Sequence, residues 1–244
     1  APDRTHTERT NAVPEDSIEM LQSPNLSARF LAAESLRSRG RMAVPLLEQM
    51  IRSSAHATHR ARALWLLADV DAHQAIELAR QDSDAHVRCD AIRIANEQLD
   101  DTAVIELAGL TKSDSSALVR REAVLALRGR QSIAKTWAEF AGLHDGEDRW
   151  YLEALGIAAE GNWDACLDAW LSLVGDDWAT SAGRDIIWRS RARKTSEYLS
   201  KILTHEQVDL ATSKDGGLRY LRAFDFQPNS KEKDRALLRI ATSL

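Results

Sequence analysis

The sequence predicts an all-α fold, an α-α superhelix in which helix pairs stack side by side along the chain. Three observations carry that prediction. A short amphipathic phrase recurs, and its closing apolar residues, Leu36, Leu67, Ala95, Leu127 and Leu155, stand 31, 28, 32 and 28 residues apart. The segments between the copies keep apolar residues at the 3.6-residue spacing of a helix. No stretch alternates with the two-residue period of a strand, and the β-branched residues are scattered through helical runs.

The clearest copy is DSDAHVRCDAIRIA, Asp82 to Ala95. Counted from Arg88, the residues Ala91, Ile92 and Ala95 fall three, four and seven positions later, on one helical stripe. Asp82 is expected to open that helix, because a carboxylate there accepts from the unpaired first-turn amides and faces the positive end of the helix dipole. The same offsets lead from Arg29 to Ala32, Ala33 and Leu36, from Arg60 to Ala63, Leu64 and Leu67, and from Arg120 to Ala123, Val124 and Leu127. Asp114 precedes Arg120 as Asp82 precedes Arg88. A fifth copy, aligned on Leu155, keeps Tyr151 and Leu152 on the stripe but has Asp148 where the others have arginine. A helix pair of this length cannot bury its apolar face alone, so neighbouring pairs must stack.

In chain order, residues 1–13 have almost no apolar content and read as a disordered tail or an expression remnant. Residues 14–175 hold about five repeats, and 176–244 hold divergent repeats with a helical cap, since terminal repeats must make one face soluble. Pro14 starts a short capping helix, PEDSIEMLQ. The first full helix runs from Ser23-Pro24 to about Arg39 and stops at Gly40; its partner spans Met42 to Ile51 with Pro45 in the first turn, where proline costs no hydrogen bond. Ala57 to Val70 follows, paired with DAHQAIELAR. The later second helices are DDTAVIELAGL, SIAKTWAEFAGL and WDACLDAWLSLV. Gly216-Gly217 and Gln227 to Ser230 are expected to be loops.

The 244 residues are 44% apolar and 28% charged, an ordinary globular balance with enough length for a sizeable core. No apolar run approaches the ~20 residues of a membrane span. Cys89 and Cys166 lie two repeats apart, beyond disulfide reach, and are expected to be buried thiols. The net charge of −5 argues against a nucleic-acid surface, but it is unevenly spread. Residues 1–178 carry 19 basic and 29 acidic side chains, net −10; residues 179–244 carry 13 and 8, net +5.

No phosphate-cradling glycine loop, nucleophile elbow, Cys-x-x-Cys or haem-attachment motif is present, so neither catalytic residues nor a cofactor nor a metal site is assigned. His56 and His59 lack a third ligand at metal spacing. Asp100-Asp101 and Asp176-Asp177 read as capping or solvated acids. Six of the seven tryptophans, Trp137, Trp150, Trp163, Trp170, Trp178 and Trp188, fall within 52 residues, beside the basic run Arg189, Arg191, Arg193 and Lys194. Tryptophan, tyrosine and arginine anchor interfaces. Trp150, Tyr151, Trp188, Arg189, Arg191 and Arg222 therefore form the candidate partner surface.

The helix starts Ser23-Pro24-Asn25 and Asp82, with Ala28-Arg29 and Val87-Arg88, resemble short HEAT repeats. That resemblance implies that the arginines Arg29, Arg60, Arg88 and Arg120 and the acids Asp82 and Asp114 form a structural ladder between repeats. SPNLSARFLAAESLRSRG, DRWYLEALGIAAEGNWDA, GRDIIWRSRA and LRYLRAFDF look like the HEAT-repeat region of large bacterial exported proteins, where it lies between a sugar-dehydrogenase-like β-propeller and a c-type haem domain. It implies a non-catalytic middle segment, exported or periplasmic, whose partners are proteins or flanking domains of the same polypeptide. A second reading is a DNA-binding enzyme resembling the HEAT-like alkylpurine glycosylases, which need a basic concave face. A third is another HEAT-like enzyme such as a bilin lyase, for which no residue speaks.

Overall fold

The computed structural model describes residues 17–204 and 216–243, so the expected tail and the start at Pro14 lie outside the described residues. Among the described residues the protein is all-α: helices and short 3-10 turns, with no strand. It comprises two compact units, Ala1–Asp100 and Asp101–Leu244.

The first unit contains α1 (Ser17–Gln22), α2 (Leu26–Arg39), α3 (Val44–Ser53), α4 (Ala57–Ala68), α5 (Ala72–Arg80) and α6 (Ala85–Gln98). Asn25 caps α2 by accepting from the amides of Ser27 and Ala28, and Gly40, at φ +53°, ends it in a conformation that side chains rarely adopt. Pro45 sits in the first turn of α3. Helix α4 packs against both α2 and α6, with α5 against α4 and α6. The stripe residues Leu36, Leu64, Leu67, Ile92 and Ala95 are buried at these contacts, which is where the period in the sequence becomes a core.

The second unit contains α7 (Asp101–Thr111), α8 (Ala117–Ala126), α9 (Ala134–Ala141), α10 (Arg149–Ala158), α11 (Trp163–Val174), α12 (Ser181–Arg189), α13 (Thr195–Thr204), α14 (Gly216–Arg222) and α15 (Lys231–Ser243). Two layers form. First helices of successive repeats pack as α8 on α10 and α10 on α12; second helices pack as α7 on α9 and α9 on α11. Trp137 is fully buried between the layers, and its indole N–H donates to Leu155 O at 2.9 Å, satisfying the one polar atom that its burial would otherwise strand. Helices α14 and α15 both lie against α13. Gly216 and Gly217 open α14 and are not a loop, whereas Gln227 to Ser230 form the loop expected of them. Cys89 and Cys166 are buried and unpaired; burial pushes the Cys166 thiol up to about 12.

The recurring arginines share one bond. Each donates Nη1 to the carbonyl oxygen six residues before it: Arg29 to Ser23 (2.9 Å), Arg60 to Ser54 (3.0 Å), Arg88 to Asp82 (2.9 Å) and Arg120 to Asp114 (2.7 Å). The side-chain oxygen of that same loop residue accepts from the amide two positions on: Asn25, His56, Asp84 and Ser116, each the residue that precedes the helix. The sequence stripe thus carries a second, polar period that folds the loop onto the start of its own helix. Asp82 is therefore not the cap of α6. Asp84 is, accepting from His86 N at 2.8 Å, while Asp82 turns back to Arg60 in the preceding repeat with two charge-assisted bonds of 2.7 Å. The fifth repeat lacks the arginine, and its helix starts one turn later relative to the stripe: Asp148 caps α10 through Tyr151 N at 3.0 Å.

Candidate docking site

The residues expected at a partner surface are brought to the second unit by α10, α12 and α14, but they do not share one environment. Trp150 is 72% exposed at the first turn of α10. Tyr151, expected beside it on the surface, belongs to the core: its ring is buried, its hydroxyl donates to Phe140 O at 2.9 Å, and burial raises its pKa. The two residues are neighbours in sequence, yet about 100° of helical rotation puts them on different faces.

Trp188 is half-buried, and the guanidinium of Arg219 lies over its ring, 4.1 Å from the ring centroid. Arg219 reaches from α14 to Asp185 on α12 at 2.8 Å, and the second oxygen of that carboxylate stands 3.4 Å from His144 Nε2. His144 stacks against Tyr151, and its Nδ1 is buried without a hydrogen-bond partner. These groups line a cleft of about 410 Å³ with Gly146, Glu147, Arg149 and Leu152. An orphaned polar atom under a cleft is uncommon in a structural core. None of His144, Asp185 and Arg219 stood out in the sequence, because they are 41 and 34 residues apart and obey no helical period.

The basic run is matched within the fold. Arg189 pairs with Glu153 at 2.9 Å and lies over Gly156, where a Cβ would come within 2.2 Å of its guanidinium carbon. Arg193 pairs with Asp164 at 3.0 Å and Lys194 with Asp168 at 2.8 Å. Arg191 folds back on the end of α12, donating to the carbonyls of Trp188, Arg189 and Ser190; burial and the charge of Arg189 hold its guanidinium below the usual range. The acids of α10 and α11 thus answer the bases that follow α12, and the excess of positive charge counted along the sequence is not displayed there. Arg149, at the mouth of the cleft, and Arg222 are exposed and have no ion-pair partner among the described residues. His56 and His59 meet edge to face at 4.9 Å, and no group of three or more His, Cys, Asp or Glu that could hold a metal is found among the described residues. No described helix is long and apolar enough to cross a membrane.

Neither a protein-family model nor a curated protein matches the sequence.

Proposed function

We propose that this chain is a non-catalytic interaction module, a HEAT-like stack of helix pairs that holds a protein partner or adjoining domains of its own polypeptide on the face of α10, α12 and α14. The observation that carries the reading is Trp150. A tryptophan placed for burial would resemble Trp137 or Trp170; this one is exposed in the first turn of α10, next in sequence to Arg149, which lines the cleft and has no ion-pair partner among the described residues. Aromatic and arginine side chains in that setting are what partners desolvate. The sequence resemblance to the HEAT-repeat region of exported multidomain redox proteins supports adjoining domains as the partner and a location outside the cytoplasm.

The test is calorimetric titration of the chain with the domains encoded beside it. Trp150→Ala is expected to weaken binding tenfold or more, as loss of an interface anchor does, and to leave the melting temperature unchanged. Unchanged affinity would remove the docking face from α10.

A further inference from the structure

We infer that the α14–α15 face is a second docking surface, and that its occupant is an acidic segment of a partner protein with apolar residues among its carboxylates. This rests on the reading of the chain as an interaction module. The reason is where unpaired positive charge lies. Residues 216–243 carry six Lys and Arg against three Asp and Glu. Of the six, Arg219 is taken by Asp185 and Lys233 donates to Gln227 O. The other four, Arg222, Lys231, Arg235 and Arg239, are exposed and have no ion-pair partner among the described residues. The bases after α12 were equally numerous in sequence but are answered by Glu153, Asp164 and Asp168; on α15 the charge of Arg235 reaches Glu232 without closing an ion pair, and Lys231, Arg235 and Arg239 outnumber the acids Glu232 and Asp234.

The same two helices expose apolar side chains. Leu218 and Leu221 of α14 and Leu238 of α15 are 57%, 45% and 65% exposed. In α15 the offsets from Lys231 to Arg235, Leu238 and Thr242 are four, seven and eleven, so cations and leucine share one helical face, opposite the buried Ala236 and Ile240. A carboxylate-bearing segment would neutralise the guanidinium groups while its apolar residues cover the leucines, and the charge would speed its capture at low salt. Glu232 and Asp234 are the acids near that stripe and disfavour a uniformly acidic ligand; alternation of carboxylates with leucine-type residues accommodates them.

The probe is a fluorescein-labelled helical peptide of Glu and Leu at heptad spacing, with a Gln-for-Glu counterpart, read by anisotropy at low and high salt. The Glu peptide is expected to bind at least tenfold more tightly than the Gln peptide, with the difference shrinking in salt. Arg235→Glu with Arg239→Glu should weaken it tenfold or more, and Leu238→Ala several-fold, with the helical circular dichroism unchanged in each. Equal binding of the two peptides, or no effect of the arginine changes, overturns the inference. So does binding to phosphatidylserine vesicles in place of the peptide, or self-association abolished by the arginine changes, since each names a different occupant. If the peptide fails while the adjoining domains still bind and lose affinity with Trp150→Ala, the interaction-module reading survives and this surface alone falls.

Discussion

Replacing Arg60 by alanine is expected to lower stability by about 3 kcal/mol at neutral pH, a fall in melting temperature of roughly 10 °C for a chain of this size. The substitution strands the Asp82 carboxylate, whose side chain is 7% exposed, without its two guanidinium bonds, and it frees Ser54 O as well. The side chains of Arg60 and Asp82 are both largely shielded from water, but Asp82 keeps its bond from the Asp84 amide, which sets the cost at the lower end of what broken buried pairs show. Its pH dependence has a definite sign. Burial pushes the Asp82 carboxyl up, but the bonds from Arg60 and the Asp84 amide, with the charges of Arg60 and Arg88, outweigh burial and hold it below its ordinary 3.8. A depressed folded-state value means the contribution is complete above about pH 4 and is lost as the pH falls through that value. The gap between wild type and Arg60→Ala, followed by thermal melts, should therefore persist from pH 8 to 5 and narrow in stronger acid. A gap that closes between pH 8 and 5 would mean the pair is not what Arg60 contributes.

Gly183→Ala is expected to cost a similar amount, about 3 kcal/mol, for a steric reason. A Cβ on Gly183 would lie 2.3 Å from Trp178 O and 2.7 Å from Trp178 C. Both are backbone atoms of the 3-10 turn Gly175–Ala179, and they cannot rotate away as a side-chain tip can. The first turn of α12 must then lift off that turn, which also loosens the Thr180 cap on Gly183 N. Gly109→Ala is the control. Gly109 lies inside α7 with its nearest neighbour, Thr136 Cγ2, at 3.9 Å, so alanine gains helix propensity without a clash and should stabilise by about 0.5–1 kcal/mol. Opposite signs for the two substitutions in chemical denaturation are the expected result.

The apolar stripe was legible because it is local: three, four and seven residues from each arginine, helix geometry alone decides what shares a face. The same rule put Tyr151 on the stripe, and its burial follows from that; grouping it with Trp150 on the surface weighed residue type above position. The Arg60–Asp82 bond was less legible. The resemblance to HEAT repeats placed both residues in a ladder between repeats, but the residue pattern alone gave Asp82 as a helix cap, because nothing within its own helix reveals that an arginine 22 residues earlier lies across from it. Charge was the least legible quantity. A count along the chain sees an acidic region followed by a basic one, whereas folding sets Glu153, Asp164 and Asp168 against Arg189, Arg193 and Lys194. The cations left there without an ion-pair partner among the described residues, Arg149 on α10, Arg222 on α14 and Lys231, Arg235 and Arg239 on α15, could be found only after those pairs were assigned.

The interaction-module reading is tested most directly by hydrogen–deuterium exchange of the chain with and without the adjoining domains that the reading proposes. Amides of residues 149–157, 184–191 and 216–222 are expected to slow on binding, with those of residues 17–100 unchanged. Slowing confined to residues 17–100, or no slowing at concentrations where the domains associate, would contradict it.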